Sequence, residues 1–437
     1  MPPLKRITTN NSYHSGQITS LYFVLLSIPL LFICFPSHSQ TFSIHPRFLP
    51  VGPKPWAIAV SDLNGDGIPD IVTADRGEMR NPREEKPAND ELSILLSQGI
   101  LNYIKLHPSP KTDFAPYAIA IANMDSLKWH DIVVSNFLAK KNQDIQIFHN
   151  LKEEGIFTVT SIKIPDENLK YTQITDGDEQ PLFTTPGLTS LLITDLNKDG
   201  LNDVITTGWT SDIVVVLTGD SKENLIISQI IPLSKGPRAL AISDLDNDKY
   251  PDIAVTMYNS NEICFLKGDS DFKFHEYSRI QTRGSQPNHI VLADFNADGK
   301  TDIAVTHRKI DHPLEILYGS SETFSFPLSN VYYFNTSNPE THSELMDIIT
   351  SDFNNDHWDD LALVDRKGEQ LIVLINKGTA TKNIFQHNTF TIEKYPLKSG
   401  RPLALASTDF NQDGYADIVV STDANEIIFF INNKKSK

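Results

Sequence analysis

The sequence predicts an all-β fold: a seven-bladed β-propeller of four-stranded antiparallel blades, its ring closed by the N-terminal strand. Three observations carry this prediction. An acidic string recurs along nearly the whole 437-residue chain, β-type apolar segments flank every copy, and the last unit stops one strand short. Strands of about five residues, short turns and no helical periodicity exclude a helical or mixed fold. Four strands per unit describe a propeller blade, and seven units close a ring. An open β-solenoid, the alternative, does not explain a split last unit.

The first 39 residues stand apart from the repeat. Lys5 and Arg6 give a positive start, and residues 21–35 form an apolar run broken only by Ser27 and Pro29. Ser37 and Ser39 are small residues at the −3 and −1 positions of a cleavage site ahead of Gln40. A spanning helix needs ~20 apolar residues, so 1–39 reads as a signal peptide, with an uncleaved anchor as the alternative. The bulky Ile33 before Cys34 fits a lipoprotein site poorly. The mature chain, 40–437, is expected to lack a transmembrane segment and to be secreted or periplasmic. Its one cysteine, Cys264, lies in the apolar run Glu262-Ile263-Cys264-Phe265-Leu266 and reads as a buried, inert thiol.

From residue 41 the repeat takes over. The string Asp62-Leu63-Asn64-Gly65-Asp66-Gly67-Ile68-Pro69-Asp70-Ile71 returns at 195–204, 244–253, 294–303, 352–361 and 409–418. A decayed copy runs from Asn123 through Asp125 and Leu127 to Asp131. The seven copies start 49 to 72 residues apart. An alternating segment such as Ala239-Leu240-Ala241-Ile242 precedes each copy, and a β-rich run such as Ile253-Ala254-Val255-Thr256 follows. The last unit ends after its third strand, at 426–431, and residues 41–49 supply a strand at the other end of the chain. Pairing the two would hide the open edge.

The pattern Asp-x-Asn-x-Asp-Gly-x-x-Asp sets oxygen-bearing side chains at positions 1, 3, 5 and 9, and a tight loop adds the carbonyl of position 7. That donor set suits Ca2+, which takes six to eight oxygens. The expected ligands are the side chains of Asp62, Asn64, Asp66 and Asp70, of Asp195, Asn197, Asp199 and Asp203, and of Asp244, Asp246, Asp248 and Asp252. The later loops offer Asp294, Asn296, Asp298 and Asp302, then Asp352, Asn354, Asp356 and Asp360, then Asp409, Asn411, Asp413 and Asp417. The matching carbonyls belong to Ile68, Leu201, Tyr250, Lys300, Trp358 and Tyr415. Plain Asx turns are the competing reading of one such loop; six near-identical acidic copies argue against it. Lys249 and His357 stand where Gly67, Gly200, Gly299 and Gly414 permit a left-handed turn. Leu127 removes the position-5 ligand of the decayed copy, so about six Ca2+ are expected, none of them in the second blade.

These strings resemble the FG-GAP/VCBS repeats, the family that includes the integrin α propeller. The resemblance covers about residues 41–433, although the literal Phe-Gly-x-Gly-Ala-Pro segment is replaced by stretches such as Gly236-Pro237 and Gly400-Arg401-Pro402. It implies a seven-bladed propeller, Ca2+ between the first two strands of a blade, and protein or glycan binding without one shared ligand.

Thirty-eight basic against 55 acidic residues give a net charge of −17, unsuited to the phosphate backbone, so no nucleic-acid partner is expected. No His-Glu-x-x-His, Gly-x-Ser-x-Gly, Walker loop or Cys-x-x-Cys occurs. Gly219-Asp220-Ser221 and Gly268-Asp269-Ser270 end third strands and read as turns. No catalytic residue is assigned. An exported polysaccharide lyase or glycosidase and a purely structural envelope protein are the alternatives to a binding module, and aromatics gathered in the central channel would favour the enzyme. Two polar insertions, 76–90 and 165–186, fall on the face opposite the calcium loops. Long loops on a rigid scaffold are where recognition sits, so a protein or glycan ligand is expected there, on a monomeric chain.

Overall fold

The computed structural model describes residues 41–78, 89–125, 127, 129–139, 143–151, 156–170, 185–220, 224–309, 313–327, 331–334, 343–378 and 390–433. The chain divides into two units, Met1–Ser39 and Gln40–Lys437. The expected signal peptide lies outside the described residues, as do the middles of both insertions.

The repeat region is seven four-stranded antiparallel sheets. Blade one runs Pro55–Ser61, Asp70–Asp75, Glu91–Ser97, Tyr103–Lys105, each strand pairing with the next. Blade seven holds Pro402–Thr408, Asp417–Thr422 and Glu426–Asn432, and Phe42–Pro50 completes it. In that seam Phe42 pairs with Asn432, Leu49 with Ile427 and Pro50 with Glu426, so the expected closure holds with its strand set one residue later. The Phe42 and Leu49 side chains are buried by it.

Burial follows strand position. Second strands such as Asp252–Met257 and Asp417–Thr422 are buried at every residue, because neighbouring blades cover both their faces. This is why they read as unbroken apolar runs rather than as alternation. Fourth strands such as Phe157–Ile162 lie at the rim and are mostly exposed. Between blades six and seven, Phe353, Val364, Leu371 and Val373 pack against Ile418, Val420, Ile428 and Phe430, with Phe42 from the N-terminal strand among them. Cys264 is fully buried on the third strand of blade four, where burial pushes its thiol up to about 12.

First strands pack on the first strands of adjacent blades and so line the axis. They start beside the ends of second strands, as Pro55 pairs with Asp75 and Pro237 with Met257, and they finish at the acidic loops. Each blade thus carries an acidic loop at one end and a first-strand start at the other. Among the described residues no helix is long and apolar enough to cross a membrane.

Candidate functional site

The six intact loops adopt one backbone conformation. Position 6 is left-handed in all of them, at φ 81° for Gly67, 89° for Gly200, 81° for Gly299 and 87° for Gly414. Lys249 and His357 take the same turn at φ 77° and 71°, where a side chain is disfavoured. Position 4 is left-handed as well, a feature the sequence pattern did not reveal: Gly65, Lys198, Asn247, Ala297, Asn355 and Gln412 all have positive φ.

Hydrogen bonds fold each loop onto its own acids. The position-6 N–H donates to Oδ2 of the first aspartate in every loop, as from Gly67 to Asp62 at 2.9 Å and from His357 to Asp352 at 2.7 Å. The position-7 N–H donates to the position-5 carboxylate, as from Leu201 to Asp199 at 2.8 Å. Positions 1, 3 and 5 are thereby gathered at the mouth of the loop with mainly carboxylate oxygens. In loop 244–252, oxygens of Asp244, Asp246 and Asp252 lie within 4.8 Å of one another.

Position 9 differs from the other ligand positions, because its carboxylate is buried and doubly held. Oδ2 accepts the position-2 N–H and Oδ1 accepts an N–H at the end of the third strand or within two residues of it. For Asp70 the donors are Leu63 and Ser97, for Asp302 they are Phe295 and Gly319, for Asp417 they are Phe410 and Asn432. Burial, followed by the charges of the other loop aspartates, raises these acids: Asp70 and Asp252 to about 6, Asp417 to about 7, Asp302 and Asp360 to about 8. Burial and like charge both disfavour the ionised form of these acids, and a nearby cation would favour it.

Among the described residues, two loops have a basic side chain of the third strand reaching into them, while in blade one the Ser97 hydroxyl donates to Asp66. Lys267 contacts Asp246 and lies 2.9 Å from Asp248, so its ammonium sits where a cation would. In the decayed loop, His149 occupies the equivalent strand position, with Nδ1 3.7 Å from Asp125 and 4.0 Å from Asp131. Asp131 keeps both backbone bonds of position 9, to Met124 and Asn150. The sequence reading marked this loop by its missing ligand; it did not see that a histidine 18 residues after Asp131 folds back over it.

The opposite end of the ring, where the 76–90 insertion begins, holds a second constellation whose residues sequence reasoning did not bring together. Four arginines converge there: Arg238 on a first strand, Arg308 on a second strand, and Arg76 and Arg366 just after second strands. The Arg76 guanidinium lies 3.4 Å from the centre of the Trp56 ring and 5.5 Å from that of Tyr117. Arg238 donates to the Tyr117 hydroxyl and, through Nε, to Asn288 Oδ1 at 2.8 Å. Arg308 and Arg366 share Glu344, Arg308 Nε at 3.1 Å and Arg366 Nη1 at 3.3 Å. Aromatic rings continue the wall, Tyr117 against Phe137, Phe137 against Trp209, Trp209 against Tyr258. Burial alone would raise the Tyr117 phenol, but the charges of Arg238 and Arg76 hold it below its ordinary value. Burial, with the other three arginines, lowers Arg76 to about 10. The signal in the sequence was that Arg76, Arg308 and Arg366 each lie six residues after a position-9 aspartate, with Arg238 apart from them on a first strand.

Comparison with known proteins agrees with the fold. A family model described as an FG-GAP-like repeat matches residues 195–255, 244–305 and 352–420, and one described as an FG-GAP repeat matches 55–84. No curated protein matches the chain in sequence. Among solved structures, that of BBS1N in complex with ARL6DN is 15% identical with a TM-score of 0.59, over 91% of this chain and 99% of that one. A streptogramin B lyase is 15% identical with a TM-score of 0.54, over 90% and 100%. A 6-phosphogluconolactonase from Bacteroides uniformis, itself described as putative, is 14% identical with a TM-score of 0.50, over 78% and 89%. At such identities the likeness concerns the fold. The chain is thus a seven-bladed β-propeller closed on its N-terminal strand, with FG-GAP or FG-GAP-like repeats matched in six of its blades, all but the second.

Proposed function

We propose that the protein is an exported binding module whose acidic loops hold structural Ca2+ and whose ligand docks at the other end of the ring. The observation that supports it is the repetition of one loop geometry in six blades, the acids of positions 1 and 5 accepting the loop's own N–H groups in each, with three carboxylates within 4.8 Å of one another in loop 244–252. The donor set is oxygen only, as hard Ca2+ prefers. Asp62, Asn64, Asp66 and Asp70 and their counterparts would hold the ion with the position-7 carbonyls. The ion would neutralise the acids and lock the first two strands of each blade. Lys267 competes for loop 244–252, and Leu127 leaves the second-blade loop without its position-5 ligand. The binding role follows from the fold class and from the arginine–aromatic mouth, which lies on the face expected to recognise a ligand.

An enzyme acting on extracellular polysaccharide is the second reading, favoured by aromatics at the axis and by His289, whose Nδ1 lies 3.0 Å from Asp347. Two measurements test the first reading. N-terminal sequencing of the exported protein should begin at Gln40, and melting should shift upward with millimolar calcium. An intact N-terminus, or no shift with calcium, would count against it.

A further inference from the structure

A chain of net charge −17 has gathered four arginines around one tyrosine. Glu344 answers two of them, Arg308 and Arg366. Arg238 is satisfied by neutral partners, Tyr117 and Asn288. Among the described residues the Arg76 guanidinium has no hydrogen-bond or ion-pair partner; it is stacked on Trp56, with Nε closed off from solvent. The Nε of Arg366 is likewise buried without a partner. Like charges held together in a partly buried site are costly unless an anion joins them. The forked guanidinium matches a carboxylate, with which it forms two parallel hydrogen bonds.

The surroundings narrow the ligand. Trp209 and Tyr258 stand half-buried beside the arginines, with the Arg238 guanidinium 5.3 Å from the centre of the Tyr258 ring. Flat rings beside charged forks present an apolar face and an anion socket together. That combination suits a sugar ring bearing a carboxylate, whose C–H face lies on the aromatic while its acid meets arginine. We propose that this mouth binds acidic saccharides through uronate carboxylates, with Arg76 and Arg238 as the carboxylate anchors and Trp209 and Tyr258 as the stacking wall. The proposal rests on the binding-module reading and specifies its ligand.

The test is calorimetric titration of the mature chain, held in constant calcium, with a tetrasaccharide of alternating glucuronate and N-acetylglucosamine. The carboxyl-reduced form of the same tetrasaccharide is the control. The expected result is binding of the acidic form that weakens with salt, at least tenfold weaker binding of the reduced form, and tryptophan fluorescence change on saturation. Arg76→Met should lower the affinity about tenfold, the scale of one charge-assisted contact. Arg238→Gln is the second variant should Arg76→Met fail to fold. Equal binding of both forms, no binding of either, or full affinity in a folded Arg76 or Arg238 variant would overturn the proposal. So would an acidic peptide that binds where the tetrasaccharide does not. A calcium-dependent melting shift that persists through such a failure would leave the calcium part of the function standing and remove only the saccharide.

Discussion

The Gln412 side-chain amide donates to the Gly67 carbonyl at 3.0 Å, joining position 4 of the last acidic loop to position 6 of the first. The same bond links Asn355 to Gly414 at 3.0 Å and Lys198 to Lys249 at 3.3 Å. The left-handed turn at position 6 therefore serves two ends. It wraps the loop around its acids and presents a carbonyl to the preceding blade. In the Gln412 pair the contact crosses the seam where the chain ends meet.

Deletion of residues 41–49 should open that seam. It removes the strand paired with Glu426–Asn432 and exposes the pocket of Phe42 and Leu49, whose burial is worth roughly 1.5–3 kcal/mol each. The melting temperature should fall sharply, and the freed edge should promote self-association. An unchanged melt with a monomeric elution profile would contradict the closure.

Position 9 should matter with or without calcium. Asp131→Ala orphans the N–H groups of Met124 and Asn150, each at roughly 1–3 kcal/mol, in a loop expected to hold no ion. Denaturant unfolding in excess chelator should show this loss, while the calcium content stays the same. Asp199→Ala should behave in the opposite way, losing one Ca2+ with a small effect in chelator. Similar behaviour of the two variants in chelator would contradict the distinction.

This contrast shows what the sequence could and could not disclose. The repeat period, strand order and closing strand were legible because each unit must bury the same faces between the same neighbours. The common turn of the six loops was legible because Asp, Asn and Gly recur at one fixed spacing. The double role of Asp70 and its counterparts was not, because their third-strand partners, such as Ser97 and Asn432, lie 15 or more residues away with no shared residue type. Arg76, Arg238, Arg308 and Arg366 were illegible for a similar reason: only ring closure brings them together.

Lys267 offers a local test of cation competition. Its ammonium stands between Asp246 and Asp248, so Lys267→Met should raise calcium affinity in loop 244–252 by removing the internal counter-ion. Calorimetry should show one additional tight site, or a several-fold tighter weakest site. An unchanged isotherm would mean that the lysine does not occupy the loop.

Glu315 sets a pH dependence apart from calcium. It is fully buried, its Oε2 3.6 Å from His307 Nε2, and burial raises its pKa from 4.5 to about 7. The folded value exceeds the unfolded one, so its contribution to stability is complete below about pH 4.5 and is lost as the pH rises to about 7. Glu315→Gln should remove that slope and gain on the order of 2 kcal/mol relative to wild type at pH 8. Parallel stability–pH profiles for the two proteins would contradict the assignment.

The most direct test is the number of calcium ions per chain, by metal analysis of the protein equilibrated in millimolar calcium, paired with its melting temperature before and after chelation. About six ions are expected, the weakest of them in the loop that Lys267 enters. At tenfold saturation each site adds roughly 1.4 kcal/mol, so chelation should lower the melting temperature by many degrees. Fewer than four ions per chain, or an unchanged melt in chelator, would contradict the calcium role and leave the acidic loops as plain turns.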